Sequence, residues 1–204
     1  MLFPTYQAWI EGVRGWIVAY DFTDEQIEQF LALAQIRLNR ELKSYRMEKH
    51  VDIPISVDLD DAVPDFNKVR NVGWPGVGSL RVLAVNEYYD RLQENPDPGT
   101  PTHYCIDAGR LLFYPVPTAE VDVSFDYYQM VEPIGPDRDS NIFTQYHSDA
   151  LLYAACLEAA SYMAEDERIP TWQASYVGAV KGANIESDVI KKGSTPLVRE
   201  FKSY

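Results

Sequence analysis

The sequence predicts an α+β fold: a helical bundle built from a long N-terminal helix and a C-terminal αα-hairpin, with an inserted antiparallel β region and a flexible C-terminal arm. Three observations carry this. Apolar residues recur every three to four positions near the start and again after Asn141, the period of a helix that buries one face. Between 51 and 131 the period drops to two, and the runs end at Pro, Gly, Asn or Asp, as antiparallel strands do. From Gly193 no periodicity remains. The expected division is a helical body of residues 1–50 and 132–192, a β insertion of 51–131, and an arm of 193–204.

Taken in order, Tyr6, Trp9, Ile10, Val13 and Ile17 define a short amphipathic helix, weakened by Gly12 and Gly15 and ending near Asp21. Thr23 to Gln26 is a capping box, in which the threonine hydroxyl accepts from the third helical amide while the glutamine reaches back. A long helix follows, with Ile27, Phe30, Leu31, Ala34, Leu38, Leu42 and Tyr45 on its core face. Arg37, Arg40, Lys43 and Arg46 gather towards its C-terminal half, where cations oppose the helix dipole favourably. Strand-like runs then appear at VDIPISVD, DDAVPDF, SLRVLAVN, THYCIDA, GRLLFYPVP and EVDVSFDYYQM, with Asp107, Ala108 and Gly109 as a hairpin turn. Within this region residues 86 to 95 read as a short helix, and ENPDPGTP as a loop tip open to proteolysis.

The strongest helical signal is NIFTQYHSDALLYAACLEAASYMAEDER, from Asn141 to Arg168. Leu151, Leu152, Ala155, Leu157, Ala159 and Met163 form its stripe, with Ser148 or Asp149 as a cap. A seam of alanines, Ala155 and Ala159 above all, suits close packing against Leu31, Ala34 and Leu38 of the long helix. Pro170 then restarts a second helix in its first turn.

Composition narrows the function. The net charge of −13, from 31 acidic and 18 basic residues, opposes any surface that wraps nucleic acid, because phosphate binding needs clustered cations. There is no run of 18 apolar residues, and Glu11 and Arg14 interrupt what a signal peptide would need, so the chain reads as soluble, not secreted and not in a membrane. Cys105 and Cys156 lack metal spacing and read as buried hydrophobes in a reducing compartment. Fourteen tyrosines suit broad partner-facing surfaces.

No catalytic constellation stands out. Asp58, Asp60, Asp61 and Asp65 invite a calcium loop, but its sixth position is Val63 rather than Gly and its twelfth Val69 rather than Glu. The Gly73 to Gly78 run lacks the Lys-Ser/Thr ending of a phosphate loop and reads as a rigid turn. His147, Ser148 and Asp149 are the three triad residue types, yet consecutive helical residues point about 100 degrees apart and cannot align. His50 and His103 complete no metal pattern. Acidic pairs such as Glu165 with Asp166, or Glu158 with Asp149, read as a charged helix face. Neither a catalytic residue, a metal nor a cofactor is expected.

A resemblance does carry function. Tyr6, Trp16 and Asp21-Phe22-Thr23, the helix FLALAQIRLNRELKSYRME (30–48), Val63-Pro64-Asp65-Phe66, Thr100 to Tyr104 and GRLLFYPVPT come first. Phe125-Asp126-Tyr127-Tyr128, Ser140-Asn141, Leu151 to Arg168, Trp172 and Tyr176 complete the ordered set. Together they resemble the head-to-tail adaptor (connector) proteins of short-tailed and related tailed bacteriophages. The chain departs at Tyr146-His147-Ser148, where the family often has a Tyr-Pro-Asp entry to the helix. The resemblance implies a virion protein of the head-tail junction, assembled in the host cytoplasm. It implies a homo-oligomeric ring of about twelve copies beneath the portal protein, docking a tail or nozzle protein and passing DNA through its channel without specific binding. The helices would form the ring body, the β region would face the tail, and an arm of Pro196, Leu197, Val198, Arg199, Phe201 and Tyr204 would reach the portal. The alternative from another class is a tail-associated carbohydrate-binding module or glycoside hydrolase, suggested by the aromatic β region and its acidic pairs, which requires a concave pocket with two carboxylates.

Overall fold

The computed structural model describes residues 1–17, 20–55, 58–163 and 166–192. It is α+β, and the described residues divide between two compact units, one drawn from Met1–Arg46 and Val131–Tyr204, the other Met47–Met130. The arm residues Pro196, Leu197, Val198, Arg199, Phe201 and Tyr204 lie outside the described residues, as does Glu165.

In the first unit, α1 (Tyr6–Trp16) is capped by the Thr5 hydroxyl, which accepts from the Ala8 amide at 3.2 Å, and by Asp139, whose Oδ1 accepts from the Tyr6 amide at 2.8 Å. Gly12 has a local reason: a Cβ there would meet the Phe3 ring at 2.3 Å, and that ring packs edge-on to the buried Trp9. The expected capping box opens α2 (Asp24–Glu41), with Thr23 and Gln26 exchanging hydrogen bonds. The helix stops at Glu41, not near Glu48 as its periodicity suggested. Side chains of α7 (Ile169–Lys192) end it: Asn184 donates to the Glu41 carbonyl at 3.3 Å and accepts from the Lys43 amide at 2.7 Å, while Ser187 accepts from the Tyr45 amide at 2.8 Å. Groups that another helical turn would have satisfied are met from a neighbouring helix instead.

The long C-terminal signal likewise divides, into α5 (Ile142–Tyr146), α6 (Ser148–Ala159) and a 3-10 turn (Ala160–Tyr162). Neither Ser148 nor Asp149 is the cap. Asn141 caps α5 through a box with Thr144, and His147 occupies the start of α6 without a side-chain cap, because its ring turns inward to Ser44. Nor is α6 amphipathic: Ala150, Leu151, Leu152, Ala154, Ala155, Cys156 and Ala159 are all buried, so it is a central helix, packed against α2 and α7. Arg168 anchors the entry to α7. It holds Asp166 in a forked ion pair that pulls that carboxyl down to about 2, donates to the Trp16 carbonyl at 2.9 Å and lies over the Trp172 ring.

The second unit holds two sheets. β1 (Glu48–Pro54), β2 (Phe66–Trp74), β3 (Gly78–Ser79) and β7 (Asp122–Gln129) form an antiparallel sheet in the order β1-β7-β2-β3. β4 (Arg81–Val82), β5 (His103–Asp107) and β6 (Arg110–Tyr114) form the other. Here the antiparallel expectation needs correction: β4 and β5 pair in parallel, Arg81 with His103 and Val82 with Tyr104. The intervening α4 (Val85–Glu94) supplies the crossover that a parallel pair requires. DDAVPDF is also not a strand, since Leu59–Ala62 forms the short helix α3. Ala108 and Gly109 close the β5–β6 hairpin with φ of 48 and 79, the paired left-handed geometry of a type I′ turn. Phe125, Val72, Val123, Phe113 and Leu111 are the centre of this unit's core.

Candidate assembly surfaces

The first unit is pinned by buried amides on α2. Gln35, 2% exposed, accepts through Oε1 from the Ile134 amide and from Asn141 Nδ2, both at 2.8 Å, and donates to the Leu31 carbonyl. One turn on, Asn39 treats Val131 as a strand would, accepting from its amide at 2.8 Å and donating to its carbonyl at 3.0 Å. Side chains thus meet the backbone groups of Val131 and Ile134, which are buried and costly to leave unpaired. The packing residues expected from sequence, Leu31, Ala34, Leu38, Ala155 and Ala159, are buried in the same unit at 1% exposure or less. Arg37 reaches across to Glu158 at 2.7 Å, and the Tyr176 hydroxyl donates to Glu41 at 2.8 Å. Burial and that carboxylate push the Tyr176 phenol well above its ordinary value.

His147 and Ser44 look at first like a nucleophile and its base, with Nε2 2.9 Å from Oγ. At 6% and 1% exposure no substrate can reach them. Burial holds the His147 ring below its ordinary pKa, and the neutral ring serves as a structural hydrogen-bonding group. Sequence spacing could not have found this pair, since its members are separated by 103 positions.

Two outward helix faces in this unit carry exposed apolar residues. On α7, Trp172, Tyr176, Val180 and Ser187 point inward, while Ala174, Gly178, Gly182, Ile185 and Val189 line the opposite, exposed side. Beside that stripe an open groove of about 440 Å³ runs between Tyr146, His147 and Asp149 on one side and Gly178, Ala179, Gly182, Ala183 and Glu186 on the other. A Cβ added at Gly178 or Gly182 would meet nothing within 4 Å. A mid-helix glycine costs roughly 0.5–1 kcal/mol relative to alanine, and nothing among the described residues accounts for that cost at Gly178 or Gly182. On α2, Gln29, Leu33, Ile36 and Arg40 form an exposed ridge, with Leu33 and Ile36 each 47% exposed. Single exposed apolar residues are ordinary; two lines of them on helices are not.

The second unit carries the features that suggested ions or sugars. Asp58 pairs with Arg110 at 3.0 Å, while Asp65 pairs with Lys49 and accepts from the Tyr127 hydroxyl at 2.8 Å, so two carboxylates of the acidic run are committed within the fold. Burial alone would raise Asp65, but those two donors hold it below its ordinary value. Among the described residues no group of three or more His, Cys, Asp or Glu side chains could hold a metal ion. A shallow depression of about 300 Å³ brings Asp52 and Asp122 near Trp74 and Pro75. A hydrolase needs one carboxyl shielded by apolar neighbours; both aspartates are exposed, and Trp74 packs its ring against Phe113 in the core. On the same sheet His50 Nδ1 lies 2.7 Å from Asp126, and that hydrogen bond raises the imidazole's pKa. No helix among the described residues is long and apolar enough to cross a membrane.

Set beside known families, the chain matches the one described as SU10 adaptor protein over residues 4–199. No curated protein matches it.

Proposed function

The chain belongs to the SU10 adaptor protein family, the phage head-to-tail adaptors that its sequence resembles, and from that membership we propose that it closes into a ring of about twelve copies beneath the portal. As a phage adaptor it is a structural virion component of the head-tail junction. In the proposed assembly the helical unit is a bundle that forms the ring body, the ring extends the DNA channel, and a tail or nozzle protein docks on the side of the β unit. Assembly takes place in the host cytoplasm before the junction closes. The arm of residues 193–204 reaches the portal through Pro196, Leu197, Val198, Arg199, Phe201 and Tyr204.

The observation that carries this reading is the pair of helix faces with exposed apolar residues on a unit that already buries a core of its own. A chain with two different sticky faces associates head-to-tail, and such contacts close into rings when the rotation permits. The charge of −13 is compatible with a channel lining that lets DNA slide without gripping it. Negative-stain images of the purified protein alone and mixed with its portal test the proposal. Rings stacked on the portal are expected, and a single bound copy per portal would sink it.

A further inference from the structure

Resting on that ring reading and deepening it, we propose that the groove along α7 receives the exposed ridge of α2 from a second copy of this chain. Ridge and groove lie on different helices, so every copy can offer one to each neighbour. The shapes are complementary. Gly178 and Gly182 line the α7 side of the groove, and their missing side chains widen it where none of the described residues fills the space. The ridge presents Leu33 and Ile36 as knobs, and small residues facing large ones let two helices approach closely.

Charge fixes the direction. Along the ridge the order is Leu33, Ile36, Arg40; along the groove it is Gly178, Gly182, Glu186. At 1.5 Å per residue the two series span about 10.5 Å and about 12 Å, so they run in step when the helices are parallel. That register seats Leu33 over Gly178, Ile36 over Gly182 and Arg40 beside Glu186. Reversing one helix would bring Arg40 to the glycine end and leave Glu186 facing Leu33. By contrast Gly12, in α1, is explained by the Phe3 ring within its own chain.

The test uses the full chain assembled on its portal. Treated with a short bismaleimide, the Ile36→Cys/Gly182→Cys double variant should give a ladder of linked chains on a denaturing gel, and neither single variant should. The native Cys105 and Cys156 are wholly buried and stay out of the reaction. Rings on the portal without a ladder would overturn this docking and leave the ring reading standing; one copy per portal would overturn the ring itself. A second arm needs no cross-linker. Arg40→Glu or Glu186→Arg alone should cut ring yield about tenfold, through like charges across the contact, and the two together should restore it. Full yield from both single variants would reject the pairing.

Discussion

His147 shows how its surroundings decide what a residue does. Its ring is buried with Ser44 as partner, and burial outweighs the carboxylates of Asp149 and Glu186 that would favour the charged form, so its pKa lies below 6.5. The unfolded chain, with an ordinary histidine, takes up a proton that the folded ring refuses. The stability His147 contributes is therefore complete above pH 6.5 and is lost as the pH falls through the folded value. His50 has the opposite sign: its bond to Asp126 raises it, so its contribution is complete below 6.5 and fades as the pH rises through the folded value. Its imidazole is 60% exposed, and solvent screening keeps that contribution small. A proton NMR titration should find the His147 midpoint below 6.5 and the His50 midpoint above it. A His147 midpoint at or above 6.5 would show that its ring is not held neutral by burial.

At the scale of elements, α6 is the helix packed against both α2 and α7. Ala155 and Ala159 are fully buried, so Ala155→Leu or Ala159→Leu should lower stability by about 1–3 kcal/mol through overpacking. Unchanged thermal melting in both variants would show that the seam is loose. The helices were legible in sequence because Thr23, Gln26 and the apolar spacing act locally, and so was the Ala108-Gly109 hairpin. What escaped was set from a distance. Nothing near Glu41 announces that Asn184 and Ser187 will end its helix, and nothing near His147 announces Ser44. The central strand β2 escaped for another reason: register shifts between Phe66 and Lys68 and between Val69 and Asn71 break the alternation by which a strand is read. The groove was half legible, since Gly178 and Gly182 stand out in a helical run, but that they face open space needed the fold.

For the whole molecule, the proposed division of labour is that the two units carry the ring and its tail side, and residues 193–204 carry the portal contact. The arm's composition suits that task. Leu197, Val198 and Phe201 offer apolar anchors, Arg199 and Lys202 outnumber the one acid, Glu200, and leave side-chain charge of the sign opposite to the rest of the chain, and Pro196 limits the conformations to be ordered on binding. If the arm acts only there, removing it takes nothing from either core, whose described residues all precede it. A chain truncated before Gly193 should therefore keep the circular dichroism and melting temperature of the full protein. It should also keep the α2-to-α7 contact between copies, since every residue of that contact remains, yet fail to bind portal in a pull-down. Full portal binding by the truncated chain would move the contact onto the folded body, and a lowered melting temperature would make the arm part of the fold.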